Sequence, residues 1–334
     1  MNTRIRRFLK ILGVIALLLV GVVALGPFLI PVTPLEGLES AQAVAPEASA
    51  FVSIPFAGTD GIAIHYRTAG AAAREPAPTF VLLHGSLFNA FTWDAVLDVF
   101  AARGRVIAYD QIPYGLSEKL IAGDWTGDNP YTPAAAVDQL IALLDALEVD
   151  QAVLVGNSYG GTLAVQAALA HPERVTGLIL IDAAVYVQEE VPAWVLDLPQ
   201  VRHLGPLFAR ELGQSEAFIR QTYRDPTQIS AEHMDRALIH RRVANWDLAL
   251  WEYLQVWGIG GADYVGRIPT IDRPALVLSG DSDTIVPVAD SERLAVELPH
   301  ANLVVLAACG HVPQEECPDA FETAVDAWLN AHDW

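Results

Sequence analysis

The run Val153-Leu154-Val155-Gly156-Asn157-Ser158-Tyr159-Gly160-Gly161 constrains this chain more than any other stretch. Three aliphatic residues lead into Gly-x-Ser-x-Gly, and an apolar stretch with helical spacing follows in Leu163, Ala164, Ala167 and Ala168. That order reads as strand, sharp turn, helix. A serine at such a turn sits in a strained backbone conformation, and glycines two residues to either side let strand and helix approach. The turn lifts the hydroxyl clear of a sheet, and the N–H of Tyr159 points into the same space from the first helical turn. The plain alternative is an ordinary strand-to-helix turn capped by Ser158.

The surrounding segments extend the strand-helix rhythm. Phe51–Phe56 and Ile62–Tyr66 flank Thr59-Asp60-Gly61, a hairpin signal. Thr79–Leu83 predicts a buried strand ending in His84-Gly85-Ser86-Leu87, and 91–102 predicts a helix. Arg105–Tyr109 predicts the next strand, and 134–147 an amphipathic helix with Val137, Leu140, Ile141, Leu144 and Leu147 on one face. After the Ser158 strand and helix comes Leu178–Ile181, ending at Asp182. The rhythm then stops over 186–268, a helical stretch with many aromatics, among them Trp194, Phe208, Phe218, Trp246, Trp251, Tyr253, Trp257 and Tyr264. It resumes with Ala275–Leu278, a helix over 288–298, Asn302–Leu306 and a last helix over 319–332. Continuous apolar strands alternating with helices imply a mostly parallel sheet covered on both faces. The domain plan is a core at 50–185 and 269–334 with an inserted helical cap at 186–268.

Residues 1–10 form a basic segment carrying Arg4, Arg6, Arg7 and Lys10, and 11–30 contain no charge at all. Twenty apolar residues span roughly 30 Å as a helix, the thickness of a bilayer core. The expectation is a transmembrane signal anchor at 11–30, a linker at 31–49 rich in Pro, Ala, Glu and Ser, and a single-pass protein. Its body then lies on the extracytoplasmic side of the cell membrane. A cleaved signal peptide, giving a secreted protein, is the rival, but Pro27 follows the small-x-small run Ala24-Leu25-Gly26 and Ala41-Gln42-Ala43 lies far from the apolar run. Acidic residues number 40 against 20 basic ones, for a formal net charge of −20, which excludes binding nucleic acid through its phosphates.

A serine hydroxyl needs a base within hydrogen-bond reach, and the base needs a third group to orient it. The later strands supply both in order: Asp283 follows the strand at 275–278 and His311 follows the strand at 302–306. Both stand at C-terminal strand ends, the edge where open α/β sheets place their sites. From about Phe51 onward the chain resembles capped, single-chain, esterase-like members of the α/β-hydrolase fold superfamily. The matching pieces are His84-Gly85, the Asp110…Gly115-x-Ser117 loop, Gly156-Asn157-Ser158-Tyr159-Gly160-Gly161, Gly280-x-x-Asp283-x-Ile285-Val286-Pro287 and Gly310-His311-x-Pro313-x-x-Glu316-x-Pro318. The resemblance implies an α/β fold with a mostly parallel eight-stranded sheet. It also implies a nucleophile elbow at Ser158, with Asp283 and His311 completing a catalytic triad, and an oxyanion hole from the backbone N–H groups of Ser86 and Tyr159. No metal and no cofactor are implied.

Departures narrow the reading. Gly-Asn-Ser-x-Gly-Gly is similar to the elbow of carbon–carbon hydrolases of aromatic ring-cleavage products, but Leu87-Phe88-Asn89-Ala90 replaces their Gly-Pro-Gly run. A serine nucleophile weighs against haloalkane dehalogenase and epoxide hydrolase activity, which in similar folds use Asp there. Asp281 and Asp182 compete with Asp283 for the place of the acid, and His84 reads as structural. His203, His233 and His240 form no metal spacing. The expected function is hydrolysis of carboxylic esters of apolar, modest-sized small molecules through an acyl-enzyme on Ser158. The same triad also suits an amide, a lactone, a carbon–carbon bond, acyl transfer or perhydrolysis. A catalytically silent ligand-binding protein is the alternative from another class. Oligomeric state is open, and so is the pairing of Cys309 with Cys317. An exported domain favours a bridge, buried free thiols are the bland reading, and spacing does not decide.

Overall fold

In the computed structural model, which describes residues 3–70, 77–186, 192–256 and 262–334, eight strands form one sheet. They are β1 (Ala50–Ile54), β2 (Ile62–Ala69), β3 (Thr79–Leu83), β4 (Arg105–Tyr109), β5 (Ala152–Asn157), β6 (Val175–Ile181), β7 (Ala275–Gly280) and β8 (Ala301–Leu306). Their spatial order is β1-β2-β4-β3-β5-β6-β7-β8. β2 runs antiparallel to β1 and to β4, and every other neighbouring pair is parallel. The hairpin signal at Thr59-Asp60-Gly61 therefore stands where β1 turns into β2, with Ile54 opposite Ile62.

The central strands are apolar at nearly every position because both their faces are covered. In β3, Val81 and Leu83 point into one core layer with Leu140 and Leu144 of the helix Pro133–Ala146 and Leu163 of the helix Tyr159–Ala170. Phe80 and Leu82 point into the other, with Phe100 of the helix Leu97–Ala101 and Phe321, Val325 and Trp328 of the helix Pro318–Ala331. This period-2 division between two buried faces is why the strands read as continuous apolar runs rather than as alternation.

The single helix expected over 91–102 is two pieces, a 3₁₀ turn Ala90–Trp93 and the short helix Leu97–Ala101. Phe91, Trp93 and Val96 are all buried, at steps of two and three that one straight helical face cannot bring together. Asn89 starts the first piece by accepting the Phe91 N–H on Oδ1 at 3.0 Å.

Between β6 and β7 the described residues form no strand of the sheet and include the helices Ala193–Leu196, Pro199–Gly213, Glu216–Gln221, Ala231–Ala237 and Trp246–Leu254 and a 3₁₀ stretch Ala262–Thr270. Trp246 and Trp251 are buried in the same core layer as Leu163. Trp257 lies outside the described residues.

At the N-terminus a helix spans Thr3–Leu25 and continues as a 3₁₀ turn, Gly26–Leu29. Arg4–Leu29 has a mean hydropathy of 2.8 over its most apolar window and none of that window is buried, so it is long and apolar enough to cross a membrane. The stretch 31–49 does not hang free. Glu39 pairs with the chain at Val243, its N–H donating to the Arg242 carbonyl at 2.9 Å and its carbonyl accepting from Ala244 N–H at 2.9 Å. Val44 is buried with Phe91, Leu116, Ile239 and Val243. Upstream, Gln200 Nε2 donates to the Ala24 carbonyl at 3.1 Å, and His203 Nε2 donates to the Ile30 carbonyl at 2.9 Å. Isolated apolar residues such as Leu35, Leu38 and Val44 carry no period, which is why the docking was invisible to pattern reading.

Candidate active site

Ser158 follows β5 with φ 53° and ψ −119°. That positive φ is held by tight packing. A β-carbon on Gly156 would stand 2.3 Å from the Gly160 carbonyl oxygen, and one on Gly160 would stand 2.1 Å from the Leu83 carbonyl oxygen. The Ser158 N–H donates to the Ile181 carbonyl at 2.9 Å, tying the turn to β6. The helix Tyr159–Ala170 starts immediately afterwards, so the serine stands where the sequence pattern places it.

Asp283 and His311 arrive from the loops after β7 and β8. Asp283 Oδ2 accepts from His311 Nδ1 at 2.7 Å, and Asp283 Oδ1 accepts the N–H groups of Ile285 at 2.6 Å and Val286 at 3.1 Å. Both side chains are almost entirely out of solvent. With Nδ1 donating to a carboxylate, a neutral imidazole has Nε2 free as an acceptor. Asp281 points elsewhere: it accepts from Ser282 Oγ and from the Ala308 N–H on the exposed side. Asp182 is fully buried at the end of β6, accepting from Ser279 Oγ at 2.8 Å and the Gly280 N–H at 3.1 Å. Burial, and then the neighbouring Asp283 charge, push its carboxyl well above the usual range.

Ser158, His311, Ser86 and Tyr159 line one cavity of about 350 Å³. Phe88, Tyr131, Phe218, Tyr253, Val256 and Tyr264 supply large apolar and aromatic parts of its wall, several of them from the helical stretch between β6 and β7. Burial pushes the phenols of Tyr159 and Tyr253 up, so both stay neutral at the cleft. Neither the Ser86 nor the Tyr159 backbone N–H donates a backbone hydrogen bond among the described residues. Ser158 Oγ makes no hydrogen bond among the described residues. Catalytic contacts of this kind commonly tighten only when substrate is bound.

Further side chains hold these loops. Asn157 Nδ2 donates to the Ile181 carbonyl at 3.2 Å and to the His311 carbonyl at 3.0 Å, linking the elbow to the histidine loop. Glu316 accepts the N–H groups of Gly310 at 2.6 Å, Asp225 at 2.7 Å and Arg224 at 3.1 Å. Neither role was visible in the sequence, because spacing does not show a side chain turning back onto its own loop. Cys309 and Cys317 are joined in a disulfide across the same loop, with their Cα atoms 6.0 Å apart. His84 is structural: its Nδ1 donates to the Gly85 carbonyl at 2.8 Å and its Nε2 accepts the Gln111 N–H at 3.0 Å. His203, His233 and His240 lie elsewhere, bonded to the Ile30 carbonyl, to Glu315 and to the Gly213 carbonyl.

Comparison with known proteins agrees with the fold. A family model described as "Alpha/beta hydrolase family" matches residues 80–324. The 2-hydroxymuconate semialdehyde hydrolase of Pseudomonas sp. (strain CF600) is 32% identical over 256 residues, covering 75% of this chain and 86% of the relative. The 3-oxoadipate enol-lactonase 2 of Acinetobacter baylyi is 27% identical over 266 residues, covering 80% and 92%. Among solved structures, one titled as a membrane phospholipase A and bacterial virulence factor shares the fold with a TM-score of 0.66 at 23% identity. It covers 98% of each chain, so the likeness takes in the N-terminal helix.

Proposed function

Because the chain belongs to the alpha/beta hydrolase family, we propose that it is a membrane-anchored serine hydrolase that cleaves carboxylic esters of apolar, modest-sized substrates. The observation that carries this reading is the 2.7 Å Asp283–His311 pair, whose imidazole lines the same cavity as Ser158. Ser158 Oγ attacks the ester carbonyl carbon while His311 Nε2 takes its proton, and Asp283 stabilises the imidazolium that forms. The developing oxyanion meets the N–H groups of Ser86 and Tyr159, each worth about 2.7–4 kcal/mol of transition-state stabilisation in comparable sites. His311 then protonates the leaving alcohol, and a water activated by the same imidazole hydrolyses the acyl-enzyme. A wall of aromatic and aliphatic side chains around one polar corner suits an apolar acyl or alcohol group.

Anchoring outside the cytoplasm rests on Arg4–Leu29 and on the basic residues before it. The Cys309–Cys317 bridge fits an oxidising compartment. Where the apolar helix ends, the chain runs along the helix Pro199–Gly213, whose Phe208 is 61% exposed, and nearby Trp194 is 68% exposed. Apolar side chains beside the membrane exit support substrate entry from lipid.

A carbon–carbon bond hydrolase is the second reading, favoured by the 32% identity to a hydrolase named for 2-hydroxymuconate semialdehyde. A fluorophosphonate probe tests the class. Labelling of the full-length protein, lost in Ser158→Ala, supports a serine enzyme, and no labelling of folded protein overturns it in favour of a silent binder. An ester panel of varied acyl length beside a vinylogous 1,5-diketone then separates the two bond types.

A further inference from the structure

Phe88 belongs to Leu87-Phe88-Asn89-Ala90, the stretch where this chain departs from the Gly-Pro-Gly run of the carbon–carbon hydrolases it is similar to. It is 3% exposed and lines the cavity of about 350 Å³ that Ser158 and His311 also line. It lines a second cavity as well, of about 240 Å³, walled by residues of the 3₁₀ turn Ala90–Trp93 and of the helix Ala231–Ala237. Among the described residues, Phe88 alone lines both.

The ring is held rather than hinged. Leu87 has φ 64°, in the left-handed region, and the Phe88 N–H donates to the Gly85 carbonyl at 3.1 Å, closing a tight turn around Ser86. On the other side of the ring, Asn89 Nδ2 donates to the carbonyls of Arg236 and Ala237, both at 3.0 Å. The Ala90 N–H donates to the buried Asp110 Oδ1 at 2.7 Å. Phe88 packs with Ile219, Tyr223, Met234, Leu238 and Val312 in one buried cluster. A ring pinned in this way between two cavities is a partition, and close packing leaves it little room to turn.

We propose that Phe88 is a specificity-determining residue: its ring closes the catalytic cavity beside Ser86 and limits the length of the substrate group that lies there. Behind the ring, Phe91, Ala95 and Ala237 are the other apolar members of the second cavity's wall. The charged side chains of that wall pair with one another, Arg236 with Asp94 at 3.0 Å and with Glu232 at 2.7 Å, and His233 with Glu315 at 2.9 Å. A chain passing the position of the ring would therefore meet apolar surface without stranding a charge. Each buried methylene is worth about a fourfold change in binding, so a few of them decide between a short and a long substrate.

This inference rests on the reading of Ser158 as a nucleophile for its catalytic part, and the experiment separates the two. Phe88→Ala, Phe88→Leu and Phe88→Trp are made in the full chain and assayed at one fixed detergent concentration, so that partition of substrate into micelles cancels between variants. One ester series is lengthened in the acyl group and another in the alcohol. In Phe88→Ala the ratio of kcat/KM for long over short esters should rise about tenfold or more in one of the series. It should rise less in Phe88→Leu and fall below wild type in Phe88→Trp. Adding Ala237→Phe to Phe88→Ala refills the second cavity from its far wall and should cancel the gain, which general loosening of the site would not allow.

A gain that survives the refilling overturns the proposal, as do ratios that ignore the size of the side chain at this position. Should Phe88→Ala not fold, Phe88→Leu and Phe88→Trp carry the same comparison, and a wild type whose kcat/KM does not fall with length in either series overturns it alone. Calorimetry with 1-alkanols of increasing length, on Ser158→Ala with and without Phe88→Ala, reads the partition without turnover and should show the same shift in preferred length. That shift in a protein that fluorophosphonate does not label would keep the partition and refute the nucleophile. Ester cleavage with the same length preference in every variant would keep the nucleophile and refute the partition.

Discussion

Ser158 keeps φ at 53°, a conformation that costs a residue with a β-carbon about 1–3 kcal/mol. The cost persists because Gly156 and Gly160 let β5, the helix and the Leu83 carbonyl close around it. Strain held at one side chain, beside a carboxylate-imidazole pair, predicts concerted loss. Ser158→Ala and His311→Ala should each lower kcat by several orders of magnitude, and the double variant hardly further, because the groups act as a unit. Asp283→Asn should also cost heavily, since it offers His311 Nδ1 the wrong partner, whereas Asp281→Asn should change little. Steady-state kinetics on one ester substrate measures all five variants, and a damaging Asp281→Asn would reassign the acid.

The loop from β8 to the helix Pro318–Ala331 holds more of the site than its length suggests. It presents His311, its Gly310 N–H is clamped by Glu316, its His311 carbonyl accepts from Asn157, and the Cys309–Cys317 bridge closes it. Closing about nine residues contributes roughly 2.5 kcal/mol in the loop-entropy picture. Reduction should lower the melting temperature by several degrees and lower activity with it, measured by calorimetry and ester hydrolysis with and without a thiol reductant. Two freely alkylated cysteines in native protein would end this idea. The same loop shows what pattern reading reaches. Gly310-His311-x-Pro313-x-x-Glu316 located the histidine, because order along the sheet and strand-end position are one-dimensional facts. The clamp, the bridge and the split of 91–102 are not, since each depends on which atoms meet after folding. The motif favours Asp283 over Asp281, whereas the two N–H donors aimed at Asp283 Oδ1 are visible only in space.

At the scale of the whole molecule, the apolar helix and the body are one connected piece. Full-length protein should sediment with membranes, resist carbonate extraction, and expose its body to protease only from outside the cell. Recovery of a mature N-terminus after Ala43 would refute the anchor and favour secretion. The docked stretch 31–49 gives the anchor a further meaning. Glu39 zipped to Val243 and Val44 buried beside Phe91 take up slack that a free tether would leave, so in the proposed anchored protein the cleft would stand at a set height above the bilayer. A catalyst held this way explores a plane rather than a volume. Its encounter rate follows the number of substrate molecules per unit area of membrane, and diluting the vesicles at constant lipid composition would leave each enzyme's turnover unchanged.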